Sequence, residues 1–227
     1  MLTERFDGPD ALITNEYARY NPNATNAVRS STWVVTSGSL FRRGQAGSTG
    51  PLTAGTPNAQ SSNATNSAVF RMVTARDTFE NVHLSLRFRI DRQATSDIHE
   101  WDGIHLFLKY RDETELYYAT VARRDGLVVI KRKVTGGPSN GGTYETLAQA
   151  AGPGVIRPGE WVSVEASLTE TDKGISIAVA IDGSPVVETL DIGEHGKVLG
   201  GRGRIGVRGD NTEFSLDDLV VESSSAH

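Results

Sequence analysis

A two-residue hydrophobic rhythm, repeated along most of the chain, constrains its fold more than any other feature. Stretches such as "NVHLSLRFRID", "DGIHLFLKYR", "ELYYATVARR", "GLVVIKRKV" and "EWVSVEASLTE" alternate apolar and polar residues, while apolar stripes at helical spacing hardly occur. Successive side chains of an extended strand point to opposite faces, so this rhythm describes strands with one face buried. "STWVVTSGSLFRRG", "SAVFRMVTA", "GISIAVAIDGSPVVETL" and "GRIGVRGDNTEFSLDDLVVE" read the same way. Between the strands stand turn signals: "RRDG" at 123–126, "TDKG" at 171–174, "IDGSP" at 181–185 and "RGDN" at 208–211. Asp or Asn followed by Gly accepts positive φ at little cost and closes hairpins. About nine or more strands at hairpin spacing predict an all-β fold, an antiparallel β-sandwich or jelly roll, as a single domain over residues 1–227.

Composition narrows the function classes. Twenty-four glycines and 37% hydrophobic residues suit short strands joined by turns. With 23 basic against 28 acidic residues the net charge is −5, which gives no bulk attraction for nucleic acid. No cysteine is present, so a disulfide framework, a thiolate metal site and a cysteine nucleophile are excluded. The first residues, "MLTERFDGPDALITNEY", hold Glu4, Asp7 and Asp10 and no signal-like apolar run. No uncharged apolar run reaches the roughly 18 residues of a membrane-spanning helix, so no membrane span is expected. Two segments break the rhythm: Gly44–Asn66 and Thr135–Gly154 are expected to be long loops, with one helical turn at "YETLAQA" in the second.

The blocks "FRMVTARDTFENVHLSLRFRI", "GEWVSVEASLTETDKGISIAVAIDGSPV" and "GRIGVRGDNTEFSLDDLVV" together resemble the concanavalin A-like lectin/glucanase superfamily of jelly rolls. The chain is also similar to concanavalin-like modules of actinobacterial tailed-phage virion proteins. "WDG-hydrophobic-H", "YYA-x-V-x-RRD", "GGPSNGGTY" and "RGDN-x-E-F" carry that likeness. The fold hosts lectins, glycosidases, lyases and structural modules, so fold alone does not select among them. The virion resemblance implies assembly in the host cytoplasm without a signal peptide, and a place on the virion beside other virion subunits. The superfamily also implies a structural Ca²⁺ joining the N-terminal segment to the last strand, with Asp7 and Gly8 facing Asp217 or Asp218.

Candidate chemistry centres on "HEWDGIHLFLKY", residues 99–110. Glu100 and Asp102 share a face by alternation, but Ile104 and Leu106 follow where glycoside cleavage would want a third acid. Asp102 before Gly103 reads instead as a strand-start turn. β-Elimination on a uronate needs an acid, a base and groups that neutralise the carboxylate. Strict alternation puts His105 and Lys109 on one face, with Tyr117 or Tyr118 on a neighbouring strand, so His105, Tyr118 and Lys109 form the candidate lyase set. Lyases of this fold carry Gln-x-His, which "DGIH" does not match. The same region suits sugar binding without chemistry, through Trp101, His105, Lys109, Tyr117, Tyr118, Arg123, Lys131 and Tyr144. Trp33 and Trp161 are expected in the core. Arg123, Arg124, Lys131, Arg132 and Lys133 are expected on a solvated hairpin edge. "RGD" at 208–210 reads as a strand-end turn. Three functional readings stand: a non-enzymatic virion module, decorating a capsid or sitting on a tail and binding host-surface carbohydrate; a polysaccharide lyase or other carbohydrate-active enzyme; and a purely structural assembly protein.

Overall fold

The computed structural model describes residues 1–50, 69–94, 96, 98–194 and 196–224. β1 (Leu2–Glu4) and β2 (Ala11–Asn15) lead through the single-turn helix α1 (Tyr17–Tyr20) to β3 (Trp33–Ser37), β4 (Ser39–Arg43) and β5 (Ala46–Ser48). Then come β6 (Val69–Thr74), β7 (Asn81–Gln93), β8 (Gly103–Tyr110), β9 (Leu116–Arg123), β10 (Leu127–Ser139) and β11 (Gly142–Ala151). β12 (Trp161–Thr171), β13 (Gly174–Ile181), β14 (Ser184–Asp191), β15 (Arg204–Asp210) and β16 (Thr212–Ser224) complete the fold. A nine-stranded sheet runs β14-β13-β12-β7-β16-β5-β4-β2, with β1 also on β16, and a seven-stranded sheet runs β11-β10-β9-β8-β15-β6-β3. Every pairing within them is antiparallel.

Alternation explains how the sheets stack. Leu84, Leu86 and Phe88 of β7 and Val164, Ala166 and Leu168 of β12 point inward from the larger sheet. Ile104 and Leu106 of β8, Ala119 of β9, Ile130 of β10 and Val207 of β15 meet them from the smaller one. Burying each of the larger side chains among these favours folding by about 1.5–3 kcal/mol, and Leu106→Ala, at a fully buried position, costs about 2–5 kcal/mol. The stretch read as one strand at 31–44 is two. Gly38 (φ 85°) turns the chain between β3 in the smaller sheet and β4 in the larger.

Residues 135–154 are not the loop that their glycines suggest. β10 runs on to Ser139, turns at Asn140 and Gly141 (φ 50° and 78°), and returns as β11, so "YETLAQA" is strand and not a helical turn. Leu, Ala and Gln favour helices in isolation, but the hydrogen-bonding edge of β10 and the packing of Leu147 on the core override that preference. In the stretch from Gly44, a tight turn at Gly44 and Gln45 opens into β5, which pairs with β4 and β16; residues 51–68 lie outside the described residues. Among the described residues no helix is long and apolar enough to cross a membrane.

Candidate functional site

Register across the smaller sheet brings the polar side chains together on the face turned away from the core. His105 of β8 lies opposite Thr120 of β9 and Arg208 of β15. Tyr118 of β9 lies opposite Lys131 of β10, and Lys133 opposite Tyr144 of β11. Their sequence neighbours Ile104, Leu106, Ala119, Ile130 and Val207 point the other way into the core. The result is a cleft of about 500 Å³, floored by His105, Tyr118, Thr120, Lys131, Arg208 and Asp210. Trp101, Arg123, Tyr144 and the β10–β11 tip at Pro138, Ser139 and Asn140 complete its lining. That size falls within the ~300–1,000 Å³ of small-molecule sites.

An aromatic row crosses it. The His105 and Tyr118 rings meet edge to face at 5.7 Å, and Tyr118 meets Tyr144 the same way at 5.6 Å. Lys133 Nζ lies 4.9 Å from the centre of the Tyr144 ring. Trp101, 50% exposed, stacks on His99 at 4.5 Å and offers its other face. His105 is 3% exposed and its Nε2 stands 3.2 Å from Asp210 Oδ2. That contact occupies Nε2, while Nδ1 has no hydrogen-bond partner. Arg208 Nε donates to Asp210 Oδ1 at 2.6 Å, and Arg208 Nη1 donates to Tyr144 Oη at 3.4 Å.

Electrostatics follow from this burial. Desolvation pushes His105 below the usual histidine range, against the attraction of Asp210, so the ring is neutral at neutral pH. Burial alone would raise the Asp210 carboxyl, but the Arg208 guanidinium, with His105 beside it, holds it well below the usual carboxylate range. Burial pushes the Tyr118 phenol far up, so it keeps its proton. Lys131 is pushed down by burial and by the nearby Arg123 charge. Arg123 itself is paired with Asp125.

Six of the eight sugar-binding candidates meet in the cleft: Trp101, His105, Tyr118, Arg123, Lys131 and Tyr144. Lys109 and Tyr117 do not. A bulge between Phe107 and Lys109, where β8 spends two steps against one of β9, turns both Leu108 and Lys109 inward. Lys109 Nζ donates to Glu170 Oε1 at 2.6 Å, and burial lowers its pKa. Tyr117 Oη donates to Asp191 Oδ2 at 2.5 Å between the sheets, and Arg132 Nη1 donates to the same oxygen at 2.7 Å. The set of His105, Tyr118 and Lys109 is therefore not assembled. Arg208 and Asp210 were missed as site residues. Their two-residue spacing places them on one face, but only the register of β15 on β8 puts Arg208 opposite His105.

Other expectations resolve on geometry. Asp102 is fully buried, and its Oδ2 accepts from His99 N at 2.9 Å and Asn211 Nδ2 at 2.9 Å, which makes it the turn-holder that its place before Gly103 suggested. Gly103 itself is required: at φ 143° a Cβ there would stand 1.6 Å from Ala122 O. The "RGD" stretch ends β15 and turns at Asn211 (φ 51°). Trp33 is buried, but Trp161 is 37% exposed, between Arg87 and Arg89 on the outer face of β12, because Val162, Val164 and Ala166 take the inward positions. The basic hairpin is no solvated edge: β8 and β11 flank β9 and β10, and Arg132 and Lys133 are buried. β1 does join β16, yet Asp217 Oδ2 and Asp218 Oδ2 both hold Arg87, at 3.0 and 2.8 Å, while Asp7 is exposed. Among the described residues no three metal-ligating side chains cluster.

No family model and no curated protein matches the chain. Solved structures do. The carbohydrate-binding module CBM66 from Bacillus subtilis superposes with a TM-score of 0.58 at 11% identity, covering 85% of this chain and 96% of that one. A protein of unknown function with a galectin-like fold, also from Bacillus subtilis, gives 0.57 at 13% identity over 86% and 90%. The VIP36 exoplasmic/lumenal domain, in a form bound to Ca²⁺ and Man3GlcNAc, gives 0.55 at 9% over 100% and 92%. At these identities the likeness is one of fold: the chain is built as a concanavalin A-like, lectin-type jelly roll.

Proposed function

We propose that the chain is a non-enzymatic glycan-binding module whose site is the cleft on the outer face of the seven-stranded sheet. One observation carries this reading: a buried imidazole whose Nδ1 has no hydrogen-bond partner lines a cleft beside the aromatic row His105, Tyr118 and Tyr144. Buried polar groups are normally satisfied, so such a histidine calls for a ligand that supplies hydroxyls. The apolar faces of sugar rings pack on aromatic rings, and Trp101 presents one at the rim. The lectin-type fold supports the same reading without specifying a ligand. Against catalysis by elimination, Lys109 is on the opposite side of the sheet.

A glycan array probed with the wild-type protein and with Trp101→Ala/Tyr144→Ala tests this. Retention by the wild type that the double variant loses supports it, and a blank array for the wild type overturns it. The virion setting, with other virion subunits as partners and capsid or tail as location, rests on the sequence blocks alone. Co-sedimentation of the chain with intact phage particles tests it.

A further inference from the structure

We propose that the glycan taken by this cleft is acidic, and that Lys131 receives its carboxylate; this rests on the glycan-binding reading. The chain as a whole is net negative at −5, yet the cleft is lined by three cations, Arg123, Lys131 and Arg208, against one carboxylate, Asp210. Those charges are not equally free. Asp210 is taken up by Arg208 at 2.6 Å, and Arg123 is held by Asp125. Lys131 is half-buried and makes no ion pair among the described residues; Asp125, already bound to Arg123, is the one carboxylate acting on it, from a distance. Holding an ammonium partly out of water without a contacting carboxylate costs free energy that an anionic ligand recovers. Lysine is a compact point charge on a flexible stem and can follow a carboxylate on a bound ring.

Placement makes the charge specific to this ligand class. Lys131 stands opposite Tyr118 in the β9–β10 register, beside the aromatic row. β10 runs between the strands of Tyr118 and Tyr144, so a carboxylate on a ring resting against this row has Lys131 beside it. His105, neutral and 3% exposed, remains available to a hydroxyl of the same ring. Lys133, which interacts with the Tyr144 ring and donates to Glu113 O at 2.6 Å, adds positive potential at the far end without competing for the site.

The experiment compares oligosaccharides bearing glucuronate, galacturonate or N-acetylneuraminate with the same oligosaccharides after carboxyl reduction, by array retention and calorimetry. The wild type is expected to hold at least one acidic form about tenfold or more tightly than its reduced counterpart, with the preference shrinking as salt is raised. Lys131→Met, with its melting curve recorded as a check on folding, is expected to bind the two forms alike. Equal binding of acidic and reduced forms by the wild type overturns the acidic-ligand inference and leaves glycan binding standing. An acid preference that survives in a folded Lys131→Met overturns the assignment to Lys131. Absence of binding to every form, acidic and reduced, overturns this inference together with the glycan-binding reading.

Discussion

Asp210 serves two partners from neighbouring β-strand positions: its Oδ2 stands 3.2 Å from His105 Nε2, and its Oδ1 accepts from Arg208 Nε at 2.6 Å. The two titratable groups respond to pH in separate windows. His105 has a folded pKa below its ordinary 6.5, so as pH falls through 6.5 the unfolded chain takes up a proton that the folded chain refuses. Its contribution to stability is therefore lost progressively below 6.5. Asp210 has a depressed folded pKa, so its contribution is complete above its ordinary 3.8 and is lost as pH falls from there toward the folded value. Urea unfolding between pH 7 and pH 5 should show stability falling with pH in the wild type and a shallower slope in His105→Gln. Identical slopes would contradict the buried, neutral imidazole.

Lys109 of β8 and Lys131 of β10, both named from the sequence as sugar-binding candidates, have opposite roles. Lys109→Met separates the positions experimentally. It leaves Glu170 without its cation, although Gly201 N still donates to Glu170 Oε1 at 2.5 Å, and it should destabilise by about 1–3 kcal/mol. Glycan retention at a temperature where the variant is folded should be unchanged. Loss of retention at unchanged stability would return Lys109 to the site.

Tyr117, Asp191 and Arg132 form a buried polar triad between the sheets. Asp191→Ala strands the buried Arg132 guanidinium and should cost about 3–5 kcal/mol in chemical denaturation. Tyr117→Phe removes a hydroxyl that donates to Asp191 and accepts from Leu199 N at 3.3 Å, and should cost about 1–3 kcal/mol. Because the residues share one oxygen, the double variant should lose less than the two costs combined. Strict additivity would mean that the triad does not act as a unit.

The fold was legible because burial on one face writes itself into the sequence at period two: β12 and β13 follow the rhythm almost residue for residue. The same rule should have placed Trp161 outside, since Val162 and Val164 already occupy the inward positions. What periodicity cannot carry is a break in it. The bulge at Leu108 reversed Lys109, and the partnership of β11 with β10 overrode its helix-favouring residues. The site was half legible for a related reason. Residues on one strand or one hairpin, such as His105, Tyr118 and Lys131, could be grouped from the sequence. Arg208 and Asp210, from about a hundred positions further on, join them only through the β15–β8 register.

Asp217 and Asp218 both hold Arg87, which leads to a prediction about metals. Treatment with a chelator should leave the melting temperature and glycan retention unchanged. A fall in melting temperature that added Ca²⁺ restores would place a cation elsewhere in the fold.

The most direct measurement is a nuclear magnetic resonance titration of the isotope-labelled protein with the glycans that the array retains. The account predicts that the Trp101 indole and the amides of Tyr118, Lys131 and Asn140 shift together along one binding curve, while Asn81, His83 and Thr169, which line a groove on the other sheet, do not move. Shifts confined to that second groove, or no shift at saturating glycan, would contradict it.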